Sequence, residues 1–274
     1  MLNSRTIAVS AIALAATSTL AIAQAPVLTL YDSEGFEAPR FVPGNLEGQD
    51  ITFGPWLAET GTPIGNTTVQ TNVVKEGSQA VQMNRTGQDE VYGVLKPIVP
   101  TEQFVVVEFC MWVDQAVSGG QNFGPFFGVQ AYSQIDGGLL AGGFGVDSNT
   151  GEVLFQQGST GFLDVTPGND TVNFGEWNDF AIYLDYDNDL YYGVLNGAIV
   201  AQTTFVDDGS VGEITAFTDA PIVGLPAEGG ASGLGAQGTS YFDNYRIYTT
   251  NAIPEPASLG LLGIAGLMLV RRRR

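Results

Sequence analysis

The chain has 274 residues, a formal net charge of −19 and a single cysteine, and it contains no histidine. Such a charge disfavours nucleic acid and anionic lipid surfaces as partners. The lack of histidine excludes Ser-His-Asp and Cys-His nucleophilic sites, histidine-ligated zinc and histidine general bases. Cys110 cannot form an intramolecular disulfide, and its apolar surroundings predict a buried, inert thiol. The chemistry that remains is mostly that of carboxylates.

The N-terminus has the pattern of a secretory signal peptide. Arg5 supplies a basic region, residues 7–14 form an apolar region, and Ala21-Ile22-Ala23 gives a small-x-small cleavage site. We predict cleavage after Ala23, so that residues 1–23 are an export signal and do not belong to the fold.

Residues 24–252 are predicted to form one β-rich domain. No long helical periodicity is found between residues 27 and 250, and the whole chain contains 36 glycines. Short β-rich runs are separated by turn signals, which are Asp136-Gly137-Gly138, Asn149-Thr150-Gly151, Pro167-Gly168-Asn169-Asp170 and Asn196-Gly197. Many short strands at this spacing indicate an all-β sandwich or jelly roll.

The clearest local pattern covers residues 177–205. Phe180, Ile182 and Leu184 alternate with more polar neighbours, which is the period of a strand with one apolar face. A turn follows, and Asn196-Gly197 is a strong signal for a type I′ hairpin. We therefore predict three consecutive antiparallel strands, a meander.

The C-terminus combines three features. Pro254-Glu255-Pro256 ends the preceding strand, since proline lacks the amide donor and fixes φ. Fourteen apolar residues, 257–270, follow and are short for a permanent membrane span, which needs about twenty. Four arginines, 271–274, then hold that end on the cytoplasmic side. The pattern predicts a transient membrane anchor.

Residues 253–274 resemble the sorting signal of PEP-CTERM proteins, which Gram-negative bacteria export. The resemblance implies recognition by a membrane protease of the exosortase type near Pro254, Glu255 and Pro256. It also implies release to the outer envelope, the cell surface or the extracellular matrix. Contact with the membrane is then expected only through the transient C-terminal helix.

A second resemblance covers most of residues 24–252. It is to exported concanavalin A-like and laminin G-like jelly-roll domains, and it is carried by five short segments: Asp32-Ser33-Glu34-Gly35-Phe36-Glu37, Gly44-Asn45-Leu46-Glu47-Gly48-Gln49, Gly77-Ser78-Gln79-Ala80-Val81-Gln82-Met83, Trp177-Asn178-Asp179-Phe180 and Tyr241-Phe242-Asp243-Asn244-Tyr245-Arg246-Ile247. The resemblance implies a single antiparallel β-sandwich whose concave face holds glycans in relatives.

Glucanases of this fold place carboxylates at alternate positions of one strand, and this chain lacks that pattern. Glu108 is followed at the alternate positions by Cys110 and Trp112. We therefore predict that the chain is not an enzyme. Carboxylates from separate strands leave a hydrolase open as an alternative, as does a lyase that uses tyrosine as its base.

Glycan binding is predicted on polar strand faces that also carry aromatic rings, because a sugar stacks on an aromatic ring while polar groups bind its hydroxyls. The predicted glycan-binding residues are Glu108, Trp112, Gln130, Tyr132, Tyr183 and Asp185. The expected function is an exported module that binds extracellular polysaccharide without catalysis. A purely structural surface protein is the other alternative.

A structural calcium ion is also predicted. Removing both terminal signals leaves five basic and twenty-eight acidic residues, a net charge of about −23, which attracts divalent cations. First and last strands of jelly rolls often lie side by side. Asp32, Glu34 and Asp243 are therefore expected to supply oxygen ligands to one Ca²⁺.

Overall fold

Short strands separated by turns make up most of the chain in the computed structural model, which describes residues 27–116, 123–158, 160–209, 211–227 and 235–253. The predicted signal peptide and Pro254, Glu255 and Pro256 of the predicted sorting signal lie outside these residues. Within the described ranges, no helix is long and apolar enough to cross a membrane.

The described residues form sixteen strands and one short 3₁₀ turn at Glu34–Phe36. The strands are β1 (Leu28–Asp32), β2 (Gly44–Asn45), β3 (Leu57–Ala58), β4 (Thr67–Gln70), β5 (Ala80–Thr86), β6 (Glu90–Gly93), β7 (Phe104–Val113), β8 (Pro125–Ser133), β9 (Leu139–Asp147), β10 (Val153–Gln156), β11 (Leu163–Val165), β12 (Trp177–Asp185), β13 (Leu190–Leu195), β14 (Ala198–Thr204), β15 (Ile222–Pro226) and β16 (Gln237–Thr250).

Two antiparallel sheets pack face to face. Sheet A has the order β14-β13-β12-β7-β16-β5-β4-β2, with β1 also paired to β16, and sheet B has the order β11-β10-β9-β8-β15-β6-β3. Phe144 of sheet B meets Phe180 of sheet A with ring centroids 5.7 Å apart. Phe180 in turn stacks on Phe109 at 5.4 Å. The predicted antiparallel β-sandwich is confirmed.

The alternation of apolar and polar residues predicted within residues 177–205 agrees with the side chains that are buried in the structure. Phe180, Ile182 and Leu184 of β12 are buried in the core between the sheets. Strands β12, β13 and β14 are consecutive neighbours, and Asn196 and Gly197 have φ of 49° and 79° in the turn between the last two. Positive φ at both positions is what a type I′ turn requires. The predicted meander is confirmed.

The last strand, β16, occupies the centre of sheet A. It pairs with β7 along most of its length, and on its other edge it pairs first with β5 and then with β1. The first and last strands are therefore neighbours, as expected. A bulge between Asp243 and Arg246, with Asn244 at φ 50°, turns Tyr245 into the core.

A buried hydrogen-bond chain fixes the N-terminal segment. Trp56 Nε1 donates to the Tyr31 hydroxyl at 2.8 Å, and that hydroxyl donates to Asp50 Oδ2 at 2.7 Å. Arg40 binds both carboxylate oxygens of Asp50. The Trp56 N–H and the Asp50 carboxylate are thus both satisfied, through Tyr31 and Arg40.

Replacing Tyr31 with Phe should lower the free energy of unfolding by about 1–3 kcal/mol, because it leaves the Trp56 N–H and the Asp50 carboxylate each without one partner. Urea denaturation measures the effect. The matched control is Tyr192→Phe on β13, a partly exposed side chain, where the change should stay within about 0.5 kcal/mol. Equal effects of the two substitutions would contradict the role given to Tyr31.

Candidate functional site

The six predicted glycan-binding residues do not line one groove. Strand alternation and the core residues place Glu108, Trp112 and Tyr183 on the outer face of sheet A, with Asp185 at the end of the same row. Gln130 and Tyr132 lie on the outer face of sheet B. The two faces look away from each other across the core, so one glycan chain cannot contact both sets within a single groove.

Asp185 closes a turn and is not placed to bind a ligand. Its side chain is buried, with 1 % relative exposure. Its carboxylate accepts the backbone N–H groups of Asp187 and Asn188 and the side-chain amides of Asn188 and Gln103. These four donors use the oxygens that a sugar hydroxyl would need, which corrects the glycan-binding prediction for Asp185.

The two tyrosines at the centre of sheet A, Tyr183 and Tyr248, both have raised pKa values. Tyr248 donates its hydroxyl to Glu108 Oε1 at 2.6 Å, and Arg246 lies between Glu108 and Asp32. Burial raises the pKa of Tyr183 to about 12. Burial, followed by the charge of Glu108, raises the pKa of Tyr248 still further. A general base needs a pKa near the working pH, so proton abstraction by these phenols is disfavoured.

Each of the three carboxylates predicted to bind calcium interacts with other groups of the protein. Asp32 pairs with Arg246 at 3.0 Å, and Glu34 lies 3.5 Å from Arg40. Asp243 is buried and accepts three backbone N–H groups, those of Lys75, Glu76 and Asn244. In the part of the chain that the structure describes, no group of three His, Cys, Asp or Glu side chains is placed to hold a metal ion. The predicted calcium cluster is therefore not formed.

The outer face of sheet B carries a chain of polar side chains. The Tyr132 hydroxyl donates to Gln130 Oε1 at 2.8 Å, and Gln130 Nε2 donates to Gln156 Oε1 at 3.0 Å. Gln156 Nε2 reaches the Gly161 carbonyl at 3.3 Å. Gln130 and Gln156 are only 7 % and 8 % exposed. This row of hydrogen bonds therefore holds the two amides in fixed orientations across three strands.

A glycine makes room for this arrangement. Gly143 lies on β9 between the strands of Gln130 and Gln156, and a Cβ at this position would overlap the Gln156 side-chain oxygen. Any larger residue would push the Gln156 amide away from Gln130. Glycine inside a strand commonly marks such a close approach.

Asp219 lies directly beside Tyr132. The two residues form an isolated antiparallel bridge, in which the Tyr132 N–H donates to the Asp219 carbonyl at 2.9 Å. Asp219 Oδ1 is buried and has no hydrogen-bond partner among the described residues. Burial raises the pKa of Asp219 to about 6, the negative charge of Glu59 adds to the rise, and the Gln134 side chain opposes it. Asp219 is thus a carboxyl group that stays protonated in weak acid.

The segment that carries Asp219 is anchored from the core. The neighbouring residue, Ala220, is fully buried, and its carbonyl accepts the hydroxyl of Tyr245 at 2.6 Å. Tyr132 interacts with the charges of Glu59, Asp219 and Asp207, which add to the effect of burial in raising the pKa of its phenol. We call Gln130, Tyr132, Gln156, Asp219 and Glu59 the sheet B site.

The sheet B site contains carboxylates and amides but no basic side chain. The described residues include five basic side chains, and each contacts a partner outside this site. The contacts are Arg40 with Asp50, Lys75 with Asp179, Arg85 with Asp89, Lys96 with the Phe53 carbonyl and Arg246 with Asp32. A ligand there meets hydrogen-bonding groups and negative charge, which favours an uncharged, hydroxyl-rich molecule.

Sequence reasoning found Gln130 and Tyr132 but missed Asp219 and Glu59. Gln130 and Tyr132 lie at alternate positions of β8, whereas Asp219 lies outside the named strands, in the segment before β15. The only sequence signal that bears on Asp219 is the absence of histidine, which leaves acid–base chemistry mostly to carboxylates.

No protein-family model matches the chain, and no curated protein sequence matches it. Solved structures do share the fold. The cellulose-induced protein Cip1 has a TM-score of 0.52 and 20 % identity, over 72 % of this chain and 91 % of that one. An endo-β-1,4-glucuronan lyase from the fungus Trichoderma reesei has a TM-score of 0.50 and 16 % identity, over 78 % and 98 %. At these identities the likeness establishes the fold alone.

A sialidase also matches, with a TM-score of 0.47 and 12 % identity over 72 % of this chain. The chain spans 17 % of the length of that sialidase.

The comparison overturns the prediction that the chain is not an enzyme. That prediction depended on finding no carboxylates at alternate positions of one strand. The same fold carries a glucuronan lyase, so this fold does not imply a purely binding role. In the present chain, the carboxylates of the sheet B site come from separate segments, which the single-strand criterion cannot detect.

Replacing Asp219 with Asn should stabilise the fold at pH 7.5 by on the order of 1–3 kcal/mol, because it removes a buried charge without removing the polar side chain. The carboxyl group of Asp219 has a higher pKa in the folded state than in the unfolded state. Its folded state therefore loses stability as the pH rises from about 4 to about 6. The gain from Asp219→Asn should accordingly disappear near pH 4 in urea denaturation.

Asp136→Asn is the matched control with the opposite sign. Burial alone would raise the pKa of Asp136, but hydrogen bonds from Ser133, Thr215 and Ala216 lower it. This substitution should therefore reduce stability at pH 7.5. If Asp219→Asn also destabilised the protein at pH 7.5, the account of Asp219 as a costly buried charge would be refuted.

Proposed function

We propose that the chain is a carbohydrate-active enzyme that hydrolyses glycosidic bonds of an uncharged polysaccharide at the sheet B site. The observation that carries the proposal is Asp219, a buried carboxyl group bridged to Tyr132, with a pKa raised to about 6 by burial and by the negative charge of Glu59. A carboxyl of this kind holds its proton at a pH where an ordinary aspartate has lost it, which is what a general acid requires.

Asp219 acts as the general acid in this proposal. Its carboxyl proton passes to the glycosidic oxygen as the bond to the anomeric carbon breaks, and the departing sugar leaves as an alcohol. Glu59 supplies the second carboxylate, which accepts a proton from the water molecule that adds to the anomeric carbon. Two carboxyl groups in different environments divide the acid and base roles in this way in glycoside hydrolases.

The amides and the phenol of the site are suited to substrate positioning. Gln130 and Gln156 are buried and hydrogen-bonded to each other, and Gln130 accepts the Tyr132 hydroxyl, so the two amides fix the position of the phenol. Tyr132 adds a ring beside Asp219, on which the apolar face of a sugar can rest. Holding the phenol in place reduces the entropy that binding would otherwise cost.

Hydrolysis fits the site better than a lyase reaction. A lyase acting on a uronic acid must neutralise the sugar carboxylate and abstract the neighbouring proton with a base. The five basic side chains of the described residues have partners elsewhere, and burial raises the pKa of the Tyr132 phenol. The net charge of the chain also repels an anionic polymer.

The proposed location follows from the sequence signals at the two termini. A signal peptide and a PEP-CTERM-like tail, processed by an exosortase-type protease, would bring the enzyme outside the inner membrane. Extracellular polysaccharide is the substrate that this location offers.

Asp219→Asn should reduce kcat on the responsive polysaccharide by about 100-fold or more, with little change in KM, because the substitution removes the transferable proton and keeps the shape. The test measures reducing-end release from a panel of neutral glucans, xylans and mannans. For the parent, kcat/KM should fall as the pH rises above about 6, as Asp219 loses its proton.

Glu108→Gln on the outer face of sheet A is the control and should keep parental kcat. Ultraviolet absorbance of an unsaturated product, measured on uronic acid polymers, reports a lyase instead. Full activity of Asp219→Asn, or turnover seen only as unsaturated product, would contradict the proposal.

A further inference from the structure

A row of aromatic side chains crosses the outer face of sheet A, away from the sheet B site. Trp177 of β12 is directly opposite Trp112 of β7, and Trp112 is directly opposite Tyr241 of β16. The row continues through Gln82 of β5 to Thr68 of β4. Five neighbouring strands thus place five side chains on one line across the sheet.

The rings in this row are partly open to solvent, and that of Trp112 is held in a fixed orientation. Trp112, Trp177 and Tyr241 are each partly exposed. The Trp112 and Trp177 rings lie 6.1 Å apart at an interplanar angle of 64°. The Trp112 indole N–H donates to Asp114 Oδ1 at 2.9 Å, which fixes the orientation of that ring. The row therefore offers aromatic surface at a low entropic cost of binding.

The charge around the row restricts the class of ligand. Asp114 and Asp179 lie close to it, and Lys75 is already paired with Asp179 at 3.0 Å. An anionic polymer or an anionic membrane would be repelled by these carboxylates. Aromatic rings beside the Gln82 amide and the Thr68 hydroxyl are the complement of an uncharged sugar chain, which presents C–H faces and hydroxyls.

We propose that this aromatic row, Trp177, Trp112 and Tyr241, is a second polysaccharide-binding surface for an extended, uncharged polymer. Neighbouring strands lie about 4.8 Å apart, so three strands span about 10 Å, on the order of two consecutive sugar rings. A polymer can bind there while another segment occupies the opposite face, because the two sheets face away from each other. The surface would hold the protein on an insoluble or long polymer and does not depend on the chemistry of Asp219.

Affinity electrophoresis of the full chain in gels containing neutral polysaccharides tests the surface. Asp219→Asn serves as the parent, so that hydrolysis cannot alter the gel. Trp177→Ala and Tyr241→Ala should each weaken retention by about tenfold or more, equal to about 1.4 kcal/mol of binding free energy. Trp177→Phe, which retains a ring, should keep most of the retention.

Tyr192→Ala on β13, a partly exposed tyrosine of the same sheet but outside the row, is the control and should bind like the parent. Unchanged retention of both Trp177→Ala and Tyr241→Ala would overturn the proposal. Retention of the parent only by anionic polymers, or by no polysaccharide, would overturn it as well.

Turnover by the chain with native Asp219 separates this proposal from the function proposed above. Trp177→Ala should keep its kcat on short soluble oligosaccharides and lose activity only on the long polymer. Loss of retention with normal turnover of oligosaccharides supports the second surface. Absence of turnover in every variant, with retention that depends on Trp177, would refute the hydrolase and leave the second surface supported.

Discussion

The central position of β16 is the constraint on which the rest of the molecule depends. This strand joins β7 to β5 and β1, so it completes sheet A and ties the two ends of the domain together. Its bulge turns Tyr245 into the core, where the hydroxyl binds the Ala220 carbonyl of the segment before β15. The residue next to Ala220 is Asp219. The geometry of sheet A therefore anchors the segment that carries the Asp219 carboxyl group.

The two outer faces have different chemistry, although both suit an uncharged carbohydrate. The face of sheet B has buried amides and a carboxyl group that lacks full hydrogen bonding, an arrangement that costs stability and is typical of reactive sites. The face of sheet A has tryptophan and tyrosine rings, and a hydrogen bond to Asp114 fixes the orientation of the Trp112 indole. The first is suited to proton transfer and the second to adhesion. The proposed division of roles would keep the active site close to a polymeric substrate.

Much of the fold could be predicted from local sequence, and most of the site could not. Alternation at Phe180, Ile182 and Leu184 and the Asn196-Gly197 turn gave the strands and their hairpin, because these features depend on neighbouring residues alone. Asp219 lies in an irregular segment, and its pKa depends on burial and on Glu59, which is 160 positions away in the chain. No period or motif encodes that approach. Local sequence also does not show which sheet a strand joins. Tyr132 and Tyr183 are therefore predicted in one site, although they lie on the outer faces of different sheets.

The pKa of the Asp219 carboxyl is the measurement that tests this account most directly. It can be followed by carbon-detected NMR of the carboxyl group in the parent and in Glu59→Gln. We predict titration near pH 6 in the parent, and a lower value in Glu59→Gln because one repelling charge is removed. Titration near pH 4 in both proteins would show an ordinary solvated aspartate and would contradict the assignment of Asp219 as the general acid.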